Sequence, residues 1–340
     1  MWRFFTYLRL KAIVTLLRLF VRLRGAPAIS PSASVLHIPS RDPQRTIKAH
    51  VYRSSAHATD SSTPTPVLFN FHGSGFMLPL HGSDDYFCTL IAAKTPYTVL
   101  DIQYRLAPEH PFPAAVNDAE DALKYVLANP TLYDARRLAV SGFSAGANLA
   151  IVVAGALPAS FPPGTSIGTC IAFYPGTDMT IDPGEKKAPD PTGKAIPPWF
   201  ARLINECYIP PDVSASDPRI SPCYADLANF AGMTFALLSA ARDNLAPESE
   251  KFAARLEEVE GTTVVRKRFE GCIHGFDKHA EPGSGNEKAR DEAYGIAADL
   301  LMGQFVLGGG HAPERLDAAV GICAVAADSQ NYGFTDFDKI

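Results

Sequence analysis

Leu138-Ala-Val-Ser-Gly142-Phe143-Ser144-Ala145-Gly146 runs from an apolar stretch into a helix-period stretch through Gly-x-Ser-x-Gly. A serine held on a sharp strand-to-helix turn crowds the positions two before and two after it. Only side chains as small as hydrogen let the strand and the helix approach that closely. By chance a chain of 340 residues carries roughly a tenth of one such match at average Gly and Ser usage. The motif gains weight only from its surroundings.

Those surroundings alternate. Apolar runs at 67–71, 98–104, 137–141, 169–174, 234–240 and 263–269 are separated by helix-period stretches at 114–129, 145–157, 247–260 and 286–304. This rhythm predicts a mostly parallel sheet with helices on both faces. Residues 175–225 break it, with ten prolines and one short helical pattern at 199–208. That span is too long for a plain connection and is expected to form an inserted cap. Three segments follow: an N-terminal helix and connector at 1–45, a catalytic domain at 46–305, and a C-terminal extension at 306–340.

The composition, 46% hydrophobic over 340 residues, suits one large domain rather than a metal- or disulfide-stapled mini-fold. The net charge of -5 hides an asymmetry: residues 1–41 hold seven Lys or Arg and no acid, leaving 24 bases against 36 acids, a net of -12, in the rest. No basic patch with interleaved aromatics appears in that acidic body, so nucleic acid is not an expected partner. The six cysteines (Cys88, Cys170, Cys207, Cys223, Cys272 and Cys323) form no Cys-x-x-Cys pair and are read as the reduced thiols of an intracellular protein.

In the first 24 residues Arg3, Lys11, Arg18 and Arg22 share a helical face, while Trp2, Phe5, Leu16, Leu17, Phe20 and Leu23 lie mostly elsewhere. The longest uncharged run in this helix, 12–17, is far short of the ~18 apolar residues that span a bilayer. It is also too short for the core of a secretory signal. A lid folded on the body, an in-plane membrane anchor and an Arg-rich mitochondrial address all fit.

A serine hydroxyl is a weak nucleophile at neutral pH, so the chemistry requires a base within hydrogen-bond reach and a third group orienting that base. On such a sheet both arrive downstream on loops leaving strands, acid before histidine. Asp243 follows the run ending at 240, and His274 lies in Gly271-Cys-Ile-His-Gly-Phe276 after the run ending at 269. Asp178, after the run ending at 174, is the rival acid; His279 and His311 are rival bases that do not directly leave a strand. Taken singly, Asp243 is as readily a turn or helix-cap residue, and a lone histidine is most often an ordinary core or surface side chain.

Acyl transfer also needs donors for the negative charge of a tetrahedral intermediate, each worth about a hundredfold to a thousandfold in rate. The run at 67–71 leads into His72-Gly73-Ser74-Gly75-Phe76, whose small residues let backbone amides face a site, with the amide of Ala145 beside the serine. Without the Gly-x-Ser-x-Gly turn, the same stretch reads as an ordinary Gly-rich turn.

With Tyr104-Arg-Leu-Ala-Pro-Glu-His-Pro-Phe-Pro-Ala-Ala115, Asp217-Pro-Arg-Ile-Ser-Pro222 and Asp243-Asn-Leu-Ala-Pro-Glu248 added, residues 47–304 resemble the hormone-sensitive lipase family of α/β-hydrolases. The resemblance implies an eight-stranded sheet, a cap built from the N-terminus and the central insertion, and hydrolysis of a short or medium acyl ester without metal or cofactor. It implies Ser144, Asp243 and His274 as catalytic residues, with Ser74, Gly75 and Ala145 as oxyanion donors and Gly73 opening the loop. Three departures stand against the usual His-Gly-Gly-Gly, Gly-Asp-Ser-Ala-Gly and Asp-Tyr-Arg-Leu-Ala-Pro-Glu: Ser74, Phe143 and Gln103. Ser74 is expected to restrict a backbone position that normally has glycine freedom, and to bring a hydroxyl near the oxyanion. Phe143 removes the hydrogen bonds of an acid beside the serine. These changes leave open a specialised substrate such as a natural-product intermediate, and two other function classes. One is an acyltransferase, lyase, dehydratase or cyclase; the other is a ligand-binding protein without catalysis, as the plant gibberellin receptors of this family are.

Overall fold

The computed structural model describes residues 2–54, 63–156, 165 and 167–303. Eight strands form one sheet: β1 (Ser34–Pro39), β2 (Thr46–Tyr52), β3 (Thr65–Phe71), β4 (Thr98–Ile102), β5 (Tyr133–Phe143), β6 (Ile167–Phe173), β7 (Thr234–Ala240) and β8 (Thr263–Phe269). Their order is β1-β2-β4-β3-β5-β6-β7-β8. The β1/β2 and β2/β4 pairs are antiparallel and every other pair is parallel. The helices are α1 (Trp2–Leu23), α2 (Asp85–Lys94), α3 (Ala114–Leu127), α4 (Ala145–Ala156), α5 (Pro198–Tyr208), α6 (Ala246–Leu256) and α7 (Gly285–Leu301).

Side chains alternate across each strand, and the two faces carry separate cores. Val67, Phe69, Phe71, Leu138 and Val140 pack with α3, α4 and α6. Leu68, Val99, Ala139 and Phe143 pack with Phe87 of α2 and Ala293, Tyr294 and Ala297 of α7. The central strands β3 and β4 are buried along their whole length, which is why they read as mostly apolar runs, with Asn70 and Asp101 as buried exceptions.

One expectation is corrected here. Residues 25–45 are not simply a connector, because β1 lies within them and pairs with β2 through six register partners from Ser34↔Val51 to Pro39↔Thr46. It escapes sequence reading because it is an edge strand: Val35 and His37 face out and only Ile38 is fully buried, so no apolar run marks it. At the opposite edge, β8 exposes Arg266, Lys267 and Arg268, charges that block pairing with another sheet.

A third core lies above the carboxyl ends of the strands. Leu10, Val14 and Leu17 of α1 meet Met77, Leu78 and Leu80 of the loop after β3 and Phe200 and Leu203 of α5. Arg18 fixes the register of α1 by donating to the carbonyls of Met77 (2.8 Å) and Ala107 (2.7 Å) and pairing with Glu109 (2.9 Å). The N-terminal helix and the central insertion thus pack together as one cover. None of the described helices is long and apolar enough to cross a membrane. None of the five cysteines among the described residues is in a disulfide. The 306–340 extension, with His311 and Cys323, falls outside the described residues.

Candidate active site

Strand β5 ends at Phe143, α4 begins at Ala145, and the whole reversal falls on Ser144, whose φ is +53°. A left-handed backbone costs a non-glycine residue roughly 1–2 kcal/mol. It is held by two bonds, Ser144 N–H to the Phe173 carbonyl (2.9 Å) and Asn148 N–H to the Ser144 carbonyl (3.0 Å). The flanking glycines are required by contact: a Cβ at Gly142 would stand 2.2 Å from the Gly146 carbonyl oxygen, and one at Gly146 would stand 1.9 Å from that of Phe71.

Asp243 leaves β7 and His274 leaves β8, and both meet Ser144. His274 Nδ1 lies 2.7 Å from Asp243 Oδ2, and His274 Nε2 lies 2.9 Å from Ser144 Oγ. An ionised carboxylate only accepts, so Nδ1 carries the proton and Nε2 is left as the acceptor for the serine hydroxyl. Both Asp243 and His274 are fully buried, while Ser144 retains 8% exposure, enough to be reached from the cavity. The second oxygen of Asp243 accepts from Leu245 N–H (3.0 Å), and the loops bearing the acid and the imidazole are joined by Arg242 N–H to the Cys272 carbonyl (2.9 Å). Tyr174 sets its ring edge-on to His274 at 4.7 Å. Asp178 is turned elsewhere, its carboxylate accepting from the Thr180 amide (2.9 Å) and hydroxyl. His279 ends a 3-10 turn beyond His274, and its carbonyl accepts from Asn286.

In the loop after β3, Gly75 (φ +54°) and Phe76 (φ +56°) take the left-handed conformations. Ser74 is not among the positive-φ residues, so the expected restriction there is corrected: the position needing glycine is the next one. Its hydroxyl is also not spare. Tyr104 donates to the His72 carbonyl at 2.6 Å, which uses the only phenol proton, so Ser74 Oγ donates to Tyr104 Oη at 2.7 Å. Tyr104 thereby braces the loop, a role its place in the quoted motif did not reveal.

A cavity of about 70 Å³ opens on Ser144, lined by Gly75, Phe76, Ala145, Met179, Ile196, Ile204 and Leu245 among others. Gly75 and Ala145 line the cavity with the serine, and Gly73 and Ser74 are not among its lining residues. Of the aromatics in the cap helix, Phe200 is buried in the α1–α5 core, Tyr208 stacks on Phe76 at 3.8 Å, and Trp199 is half exposed and off the wall. The cap instead contributes Lys186, whose ammonium bonds Glu248 Oε2 (2.5 Å) on the same wall. Burial pushes the Glu248 carboxyl up, and Lys186 with the Thr177 and Asp178 amides holds it back. No sequence spacing signalled this pair.

Phe143 is fully buried, stacked on Phe173 at 4.3 Å, with the Lys278 ammonium 3.9 Å from its ring centroid. Lys278 in turn bonds Asp84 (2.7 Å) and Asp277 (2.8 Å). The missing acid beside the serine is thus answered by an aromatic face under a buried, doubly paired lysine.

The arrangement can draw a proton from a hydroxyl that faces a small cavity, beside the start of a helix. A family model described as alpha/beta hydrolase fold matches residues 68–278. The carboxylic ester hydrolase LipN of Mycobacterium tuberculosis is 32% identical over 281 residues, 78% of this chain and 70% of that protein. An AB hydrolase superfamily protein of Schizosaccharomyces pombe is 30% identical over 232 residues, and the match spans 65% of its length, just under two thirds. The hyperthermophilic esterase of the archaeon Pyrobaculum calidifontis superposes with a TM-score of 0.67 at 30% identity, covering 87% of this chain and 92% of that one.

Proposed function

The chain belongs to the alpha/beta-hydrolase family, in its hormone-sensitive-lipase branch of carboxylic ester hydrolases, and from that premise we propose that it cleaves a small-molecule ester through an acyl-enzyme on Ser144. The observation carrying this is the unbroken relay of 2.7 Å from Asp243 to His274 and 2.9 Å from His274 to Ser144 at the cavity floor. His274 Nε2 takes the hydroxyl proton as Ser144 Oγ attacks the ester carbonyl. Asp243 keeps the imidazole in the tautomer that can do so and stabilises the cation formed. The amides of Gly75 and Ala145, with that of Ser74 by its position in the loop, receive the oxyanion. The protonated His274 then returns the proton to the leaving alcohol, and a water activated by the same imidazole releases the acid.

A cavity of about 70 Å³ with Met179, Ile196, Ile204 and Leu245 on its wall supports a short apolar acyl group; pockets for larger ligands run to about 300–1,000 Å³. The test is p-nitrophenyl acetate turnover and fluorophosphonate labelling of purified protein. Both are expected to vanish in Ser144→Ala, and a variant that keeps the wild-type rate contradicts the reading. Product analysis with and without an alcohol acceptor separates hydrolysis from acyl transfer.

A lipid surface is the second partner in this reading. The buried side of α1 is used up by the cap, yet Phe4, Leu8, Leu16, Leu19 and Leu23 are exposed, Leu16 by 68% and Leu23 by 77%. With spacings of three, four or eight these form one outward stripe, next to Lys11 and Arg22 in an acid-free segment. An apolar stripe bordered by cations suits an anionic membrane surface, with the helix lying in its plane.

A further inference from the structure

At one level of the sheet, four adjacent strands carry polar side chains. His50 of β2 is the register partner of Asp101 of β4, Asp101 that of Asn70 of β3, and Asn70 that of Ser141 of β5. All four are buried, on the face that otherwise holds Leu68, Val99 and Ala139. Hydrogen bonds satisfy the row from one end. Ser141 Oγ donates to Asn70 Oδ1 (2.9 Å), and Asn70 Nδ2 donates to Asp101 Oδ1 (2.9 Å) and Asp84 Oδ2 (3.0 Å).

At the other end the pairing stops. His50 Nδ1 and Asp101 Oδ2 are buried with no hydrogen-bond partner. His81, on the loop after β3, closes over them: its ring stacks on that of His50 at 4.1 Å, and its Nε2, which donates to the Asp101 backbone carbonyl at 3.0 Å and must give up that proton to hold an ion, lies 3.2 Å from Asp101 Oδ2. His50 Nδ1 lies 3.8 Å from the same oxygen, and the three ligand atoms all fall within 4.8 Å of one another. None of these residues lines the cavity at Ser144.

We propose that His50, His81 and Asp101 form a binding site for a divalent first-row transition metal, of which zinc is the representative. Zinc bonds of about 2.0–2.1 Å at tetrahedral angles separate neighbouring ligand atoms by about 3.3–3.4 Å. The 3.2 and 3.8 Å separations here bracket that value. Two imidazoles with one carboxylate favour zinc, iron, nickel or copper over magnesium or calcium, which take oxygen sets. The Asn70 bond to Oδ1 orients the carboxylate so that Oδ2 is the ligand, the kind of outer contact that metal sites depend on. Bound there, the ion ties strands β2 and β4 to the loop that carries Gly75 and Phe76, and so stiffens one wall of the cavity at Ser144.

The full chain is stripped with dipicolinate, dialysed, and titrated with Zn²⁺ by calorimetry, as the wild type and as Ser144→Ala. One equivalent is expected to bind in both, raising Tm by about 5 °C or more at a hundredfold excess over Kd. His81→Gln and Asp101→Asn are expected to weaken binding by at least about a hundredfold. Because such buried variants are apt to misfold, Co²⁺ added to the wild type serves as a second readout: an intense visible band of tetrahedral cobalt, without the near-ultraviolet band of thiolate ligation. Failure of the wild type to bind either ion stoichiometrically overturns the site. So does a thiolate band, or unchanged binding in a folded His81→Gln protein. Ester turnover plays no part in these readouts, so they stand apart from the test of Ser144.

Discussion

The ammonium of Lys278 lies 3.9 Å from the centroid of the Phe143 ring, the residue that immediately precedes Ser144. A desolvated cation on an aromatic face is worth about 2 kcal/mol, and this one also neutralises Asp84 and Asp277, both buried. Lys278→Met leaves two carboxylates without their cation and is expected to cost about 3–5 kcal/mol in urea unfolding. Phe143→Leu, which keeps the ion pairs, is expected to cost about 1–2 kcal/mol. Equal stability of Lys278→Met and wild type would contradict the pairing.

The same network sets a pH dependence. Burial by itself raises the Asp277 carboxyl, but Lys278 and the hydroxyls of Tyr174 (2.6 Å) and Tyr294 (2.7 Å) outweigh it and hold the group below its ordinary 3.8. The native state therefore binds this proton less readily than the unfolded chain, so the contribution is fully present above pH 3.8 and disappears as pH falls through the depressed native value. Unfolding free energy measured between pH 5 and pH 2 is expected to fall less steeply in Asp277→Asn than in wild type. Parallel curves would rule this out.

The choice between the two candidate acids has a kinetic signature. Asp243→Asn removes the group that fixes the His274 tautomer and is expected to lower kcat about ten-thousandfold with the fold intact. Asp178→Asn alters the Thr180 turn and a contact with Cys223, neither of which reaches His274, and is expected to change kcat less than about threefold. Steady-state kinetics on p-nitrophenyl acetate compare the two, and the opposite ranking would reassign the acid.

Helix α1 has two faces with separable effects. Replacing Leu16, Leu19 and Leu23 by Ser is expected to abolish sedimentation with phosphatidylserine vesicles while sparing turnover of a soluble ester. Leu10→Ser and Val14→Ser, on the side packed against Phe200 and Met77, are expected to destabilise the cap by about 2–4 kcal/mol each and reduce turnover. Failure of the wild type to bind vesicles would remove the membrane from the reading, and binding that survives the first set, or that ignores added salt, would remove the α1 stripe and its cations as the contact.

The periods of the chain carried most of the architecture. The run at 234–240 coincides with β7, because a strand buried by sheet neighbours and helices needs a continuous apolar stretch wherever it lies. The run at 263–269 coincides with the edge strand β8, which Val264 and Val265 mark despite the exposed Arg266, Lys267 and Arg268. Strand β1 has a solvent-facing side and an unpaired edge, so its apolar residues are too few to announce it. The turn at Ser144 was legible for a local reason, since Gly142 and Gly146 answer to atoms within a few residues or in the neighbouring strand.

Chain order and strand ends nominated Asp243 and His274, and by itself the sequence determined that much: a parallel sheet, a strained serine turn, and an acid and a base on the loops that such a sheet brings to one rim. Tertiary structure alone decided what depends on distance between residues far apart in the chain. The bond from Asp243 rather than Asp178 to His274, the Tyr104 brace under Ser74, the lysine over Phe143 and the meeting of His50, His81 and Asp101 are all of this kind. The physical reason is one of range: periodicity and turn chemistry act over a few residues, whereas a buried polar contact exists only once the packing of two cores has fixed which side chains share a space without water.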